Sequence, residues 1–148
     1  MASGTWNWYS KGLAFFLSGD TDFDADTIKM GLVTSEYAAY ASPGNEVSWS
    51  QPSSWEVSGD GYTDGGKTLT GNSVTSGADQ RFICLFADDA QWPSSSISAR
   101  YAIVYASQAA ARRLIGYCPF SATVTSDNGT FTVDLDGVNG FLYVRASS

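Results

Sequence analysis

Apolar and polar residues alternate most clearly between Arg81 and Phe120, where three apolar runs are divided by short polar turns. RFICLFADD leads through QWPSSS into ISARYAIVYAS, and a small Ala/Arg loop separates that run from RLIGYCPF. In the middle run Ile97, Ala99, Tyr101, Ile103 and Tyr105 fall on one face; Ser98, Arg100, Ala102, Val104 and Ala106 fall on the other. A period of two belongs to a strand. Connections this short join antiparallel neighbours, so the middle of the chain is expected to form a β-meander with QWPSSS as one of its turns.

Helical spacing occurs near the start. Trp6, Tyr9, Leu13, Phe16 and Leu17 predict a short helix with Thr5 as N-cap and Gly19 as its stop. DTIKMGLVTS then reads as a strand with Ile28, Met30 and Leu32 on one side. No period holds from Tyr37 to Trp55, so this stretch is expected to be a long loop carrying Tyr37, Tyr40, Trp49 and Trp55. KTLTGNSVTS is a weak strand. ATVTS and TFTVDL flank Asp127-Asn128-Gly129, a hairpin signal, with Phe131, Val133 and Leu135 inward. A turn over Gly137-Val138-Asn139-Gly140 leads into FLYVR.

These elements predict an all-β fold of about eight strands: an antiparallel β-sandwich, jelly-roll-like, with one short N-terminal helix. The expected core is Ile28, Met30, Leu32, Phe82, Cys84, Ile103, Leu114, Phe131 and Val133. The length of 148 residues fits a single domain spanning residues 1–148.

Charge narrows the partners. The formal net charge of −7 disfavours nucleic acid and anionic membrane, which would both repel it. LAFFL is too short for a signal-peptide core or a membrane span, so use without a cleaved leader is expected. Cys84 and Cys118 lie inside apolar runs and are read as buried free thiols.

Several motifs invite chemistry. Gly61 to Thr68, GYTDGGKT, fits the P-loop pattern letter for letter. A phosphate cradle also needs a buried strand before it and a helix after it. EVSGD precedes and LTGNSVTSG follows, so a glycine-rich turn with a solvent-facing Lys67 is expected, without nucleotide binding. Asp20, Asp22, Asp24 and Asp26 alternate like a calcium loop, but Ala25 and Gly31 stand where Gly and Glu are required. The chain has no His, which excludes Ser-His-Asp and Cys-His mechanisms. Asp88, Asp89, Asp134 and Asp136 show no spacing that selects a catalytic pair, and Asn128-Gly129-Thr130 is a sequon that a hairpin turn explains. No enzyme activity, cofactor or metal is expected.

DFDADTIKMGLVTSEY, EVSGDGYTDGGKTL, ADDAQWPSSSISARYAIVY and LIGYCPF, in this order, resemble a family of small structural proteins of tailed bacteriophages. The match runs from Lys11 to the C-terminal hairpin and is weakest between Tyr37 and Trp55. What the resemblance implies is a virion component made in the host cytoplasm, a capsid decoration (cement) protein on the capsid surface. Its partner would be the major capsid protein. Lattice symmetry adds the expectation of a homotrimer. Trp6, Trp8, Tyr37, Tyr40, Trp49 and Trp55 are the candidate protein contacts. The alternative is a tail or fibre-associated module that binds carbohydrate through Trp49, Trp55 and Trp92.

Overall fold

A computed structural model describes residues 2–39, 47–76, 82–107 and 112–145. In chain order the elements are β1 (Asn7–Trp8), α1 (Ser10–Ser18), β2 (Ile28–Val33), β3 (Lys67–Thr68), β4 (Ser73–Ser76) and β5 (Phe82–Phe86). They continue with β6 (Ala90–Ser95), β7 (Ser98–Ala106), β8 (Leu114–Thr125), β9 (Gly129–Val133) and β10 (Leu142–Arg145). Short 3-10 turns cover Ser35–Ala39 and Pro52–Trp55. Among the described residues the fold is all-β with a single short helix, and every pairing between named strands is antiparallel. Among the described residues the pairing divides the strands among three sheets, ordered β1-β8-β7-β2-β3, β10-β5-β4 and β6-β9.

The expected meander is corrected. Only β7 and β8 of the three apolar runs are neighbours; β5 pairs with β4 and β10 instead. QWPSSS is not a turn but most of β6, which pairs with β9. Its apolar residues are too few to announce a strand, yet Trp92 and Ala90 are buried. Likewise the Asp127-Asn128-Gly129 signal makes a turn, with Asn128 at φ 51°, but not a hairpin. It passes the chain from β8 in one sheet to β9 in another.

The alternation read along β7 changes phase. Pairing shifts between Ala99↔Val124 and Tyr101↔Pro119, an irregularity whose extra residues lie on β8 between Pro119 and Val124. Beyond it Ala102, Val104 and Ala106 join Ile97 and Ala99 in the main core, while Ile103 and Tyr105 face a second cluster. Both faces of β7 are therefore buried. The main core gathers Met30 and Leu32 from the five-stranded sheet, Leu85 and Leu142 from the three-stranded one, and Trp92 and Phe131 from the third. Of the nine residues expected inside, eight are buried and Phe82 is half-buried.

The helix starts later than its pattern suggested. Tyr9 rather than Thr5 is the N-cap, and Trp6 lies before β1, outside the helix. Gly19, at φ 86°, ends it as expected. Leu17 is 66% exposed, and the buried helix position is Gly12. A Cβ at Gly12 would stand 2.8 Å from the Ile115 carbonyl oxygen, so the helix backbone itself rests on β8.

The second cluster holds Tyr9, Val33, Tyr37, Trp49, Ile103, Tyr105 and Leu114. Trp49 stacks on Tyr105 with ring centroids 4.7 Å apart and planes 5° apart. Gly31, in the middle of β2, leaves the space the indole fills; a Cβ there would overlap it. Gly31→Ala should therefore destabilise the fold by about 1–3 kcal/mol through overpacking. In a Trp49→Phe background, where the ring is smaller, the same change should cost clearly less. Urea unfolding of the four proteins measures this coupling; equal costs in both backgrounds would show that the indole is not what Gly31 accommodates.

Candidate functional site

The first residues of the chain run along β9. Ala2 N–H donates to the Thr132 carbonyl at 2.7 Å, and Asp134 N–H donates to the Ala2 carbonyl at 2.9 Å. Asn7 and Trp8 then pair with Tyr117 and Gly116 of β8. Gly116 permits this close layering, since a Cβ there would meet Leu142 Cδ1 at 2.6 Å and the Asn7 carbonyl oxygen at 3.0 Å. The result is a groove of about 780 Å³ between Trp6-Asn7-Trp8 and the chain from Asp134 to Tyr143.

Both indoles in the groove wall are half-buried and held from behind. Trp6 packs edge-on against Phe141 at 5.1 Å, and Phe141 leans on Phe23 at 5.7 Å. Trp8 Nε1–H donates to the Tyr143 carbonyl at 2.9 Å, and its ring lies 5.5 Å from Phe16. Tyr143 is 57% exposed and packs against Phe82 at 5.1 Å. The Asp136 carboxylate accepts the N–H groups of Val138 and Asn139 at 2.8 and 2.9 Å. These donors hold it below the usual carboxylate range and tighten the turn that closes the groove. Asp134 is an exposed carboxylate beside them.

Of the expected contact residues, Trp6 and Trp8 thus come together. Tyr37 and Trp49 do not reach the surface: they are 0% and 1% exposed, which corrects their placement in an open aromatic loop. Trp55 is half-buried and 6.0 Å from Tyr37. Tyr40 lies outside the described residues. Trp92 is also buried, so the ring set Trp49, Trp55 and Trp92 does not form a sugar-stacking surface. The Asp134–Tyr143 wall escaped sequence reading; the one available signal was a large aromatic at an outward position of the last strand.

The P-loop lookalike is a clamped turn. Gly61, Gly65 and Gly66 adopt φ of 80°, 92° and 83°, and Lys67–Thr68 enters β3 beside β2 rather than a helix. Glu56 Oε2 accepts the Tyr62 hydroxyl at 2.6 Å and the Gly65 N–H at 2.7 Å. Tyr62 Oη in turn accepts the Leu32 N–H at 3.0 Å, and the Tyr105 hydroxyl donates to the Gly65 carbonyl at 2.6 Å. Lys67 is half-buried, not solvent-facing, with its ammonium 5.9 Å from the Trp92 ring centroid. Burial raises the carboxyl of Glu56 and the phenol of Tyr62, and pushes Tyr105 up to about 12.

The acidic stretch is a local turn. Asp26 accepts the Asp22 N–H at 3.0 Å, and the Asp24 carboxyl is raised by its hydrogen bond to Asp22 and by that neighbour's charge. Among the described residues no three His, Cys, Asp or Glu side chains gather as a metal site. Cys84 and Cys118 are buried, and burial pushes Cys118 up to about 12. Among the described residues no helix is long and apolar enough to cross a membrane. No protein-family profile, curated protein or solved structure matches the chain.

The clamp makes stability sensitive to Glu56 and to alkali. Glu56→Ala leaves two donors without their acceptor and should cost about 2–4 kcal/mol, whereas Glu56→Gln, which keeps an acceptor oxygen, should cost about 1 kcal/mol. Tyr105 has a raised folded pKa, so its contribution is complete below the unfolded value of about 10 and is lost as pH climbs through about 12. Urea midpoints should fall across that window, and less steeply in Tyr105→Phe. An unchanged slope in the variant would remove Tyr105 as the cause.

Proposed function

We propose that this chain is a structural protein of a tailed-phage virion, a capsid decoration (cement) protein that binds the outer capsid surface and bridges capsomers. The observation that carries the reading is where the titratable groups raised chiefly by burial are used. Glu56, Tyr62 and Tyr105 are raised by burial and engaged in clamping a turn, and Cys118 is buried in the main core. Chemistry of that kind serves rigidity, which suits a protein whose task is binding. The resemblance over nearly the whole chain supports the phage assignment, and its shared turn, GYTDGGKT, has a structural role here.

A cement protein collects many weak contacts that only an assembled lattice offers together. The end of the molecule bearing α1 supplies a suitable face. Leu17 is exposed there, and the Arg113 guanidinium lies 4.5 Å over the Phe15 ring while donating to the Asp20 carbonyl at 3.3 Å. A homotrimer would set three such faces around a lattice three-fold axis. The partner in this reading is the major capsid protein.

Leu17→Asp should leave the circular dichroism and melting temperature near wild type, because the side chain is already in solvent. Burying a leucine contributes about 1.5–3 kcal/mol, so capsid affinity in co-sedimentation should drop about ten-fold or more. Wild-type protein that does not sediment with capsids would overturn the cement reading. A particle reconstruction with single copies away from any symmetry axis would overturn the trimer.

A further inference from the structure

We propose that the groove between Trp6-Asn7-Trp8 and the Asp134–Tyr143 chain is a binding site for a neutral oligosaccharide of pyranose units, a function beyond capsid attachment. Its volume of about 780 Å³ lies within the range of small-molecule sites. The two indoles are separated by one residue on extended backbone, so they stand about 7 Å apart along one side of the chain. Both line the groove, and each is fixed from behind, Trp6 by Phe141 and Trp8 by Phe16 and the Tyr143 carbonyl. Rings immobilised before binding lose little rotamer freedom when a ligand arrives.

The lining chemistry selects the ligand. Asp134 and Asp136 stand in the groove wall, and among the described residues no Lys or Arg does. With a net charge of −7 this repels phosphates, nucleic acids, acidic glycans and acidic peptides. An extended peptide would need free backbone groups at a strand edge. Here the Thr132 carbonyl and Asp134 N–H are engaged by Ala2, and the Tyr143 carbonyl by Trp8. A pyranose asks for something else: an aromatic plane under its C–H face, and acceptors at the rim for its hydroxyls. Trp6, Trp8 and the exposed Tyr143 provide planes, and Asp134 provides an exposed acceptor.

The test is titration of the full chain with chitotriose, maltotriose and cellotriose as neutral probes and tri-galacturonate as the anionic control. Indole N–H resonances in ¹H–¹⁵N spectra report on the site. At least one neutral probe should shift the Trp6 and Trp8 signals at millimolar concentration, and tri-galacturonate should not. Removing one stacking ring should weaken binding about three- to ten-fold. Trp6→Ala tests this, and Tyr143→Ala and Asp134→Asn repeat it at exposed positions should the first variant fail to fold. Trp55→Ala, remote from the groove lining, should bind like wild type. Silence toward all three neutral probes overturns the proposal, as does equal binding of tri-galacturonate or undiminished binding in Tyr143→Ala and Asp134→Asn together. Capsid co-sedimentation of Tyr143→Ala and Asp134→Asn, expected to be unchanged, separates failure here from failure of the cement reading.

Discussion

Burial of the central sheet on both faces is the constraint on which the rest of this fold depends. A sheet with one wet face can alternate apolar and polar residues, but one covered twice must be apolar or small at nearly every position. β2 and β7 meet that demand: Met30 and Leu32 serve the main core while Val33 turns to the second cluster, and β7 divides likewise. The second face is closed chiefly by Trp49 lying flat on Tyr105 over Gly31. Without the glycine the indole could not approach, and without the indole the face of β7 carrying Ile103 and Tyr105 would lose its cover. A segment lacking regular periodicity thereby becomes part of the interior.

The clamp at Glu56 follows from the same two-sided burial. Covering the sheet carries the chain across the end of β2, where Glu56 bridges to Val33 and Val57 N–H donates to the Leu32 carbonyl at 3.0 Å. The chain must then reverse to lay β3 beside Lys29 and Met30. Three glycines in the left-handed region make the reversal possible, and a partly desolvated carboxylate holds it. Gly66 in particular sits directly against the Met30 carbonyl, where a side chain has no room. The letters of a nucleotide-binding loop thus arise from a need for tight backbone packing. Glycines serve both purposes, and only the following element, strand or helix, tells them apart.

Local pattern made much of the architecture legible. The all-β class, the strand through Ile28–Val33, the helix stop at Gly19 and the inward Phe131 and Val133 all follow from periodicity and turn chemistry over a few residues. Partner choice did not follow. The facing of β7 reverses where its pairing with β8 shifts between Ala99 and Tyr101, and nothing in ISARYAIVY marks it, since Tyr, Ala, Ile and Val suit either side. β6 was missed because Pro93, Ser94 and Ser95 outweigh Ala90 and Trp92, its two buried apolar residues; pairing with β9 supplies the missing signal from far along the chain. The aromatic surface was half legible. Trp6 and Trp8, expected as contact residues, form one wall of the groove, whereas Trp49 looked exposed only because its glycine receptor lies 18 residues earlier.

The N-terminal segment joins fold and surface. By pairing with β8 and β9 it covers strand edges that would otherwise offer unpaired N–H and C=O groups to other chains. The same pairing fixes the backbone of Trp6 and Trp8, so the side chains project from an anchored element rather than from a free tail. Phe141, Phe23 and Phe16 then brace the indoles from the core side. A surface built this way gains recognition without added flexibility, because its stability and its binding geometry come from one set of contacts. The cost falls on tolerance. Gly4 and Gly116 must remain small for the segment to lie down at all, the first against the Pro119 carbonyl and the second beneath Asn7 and Leu142. Substitution at either glycine would therefore disturb the edge and the groove together, while Tyr143 and Asp134, exposed on the opposite wall, are free to vary with whatever the groove holds.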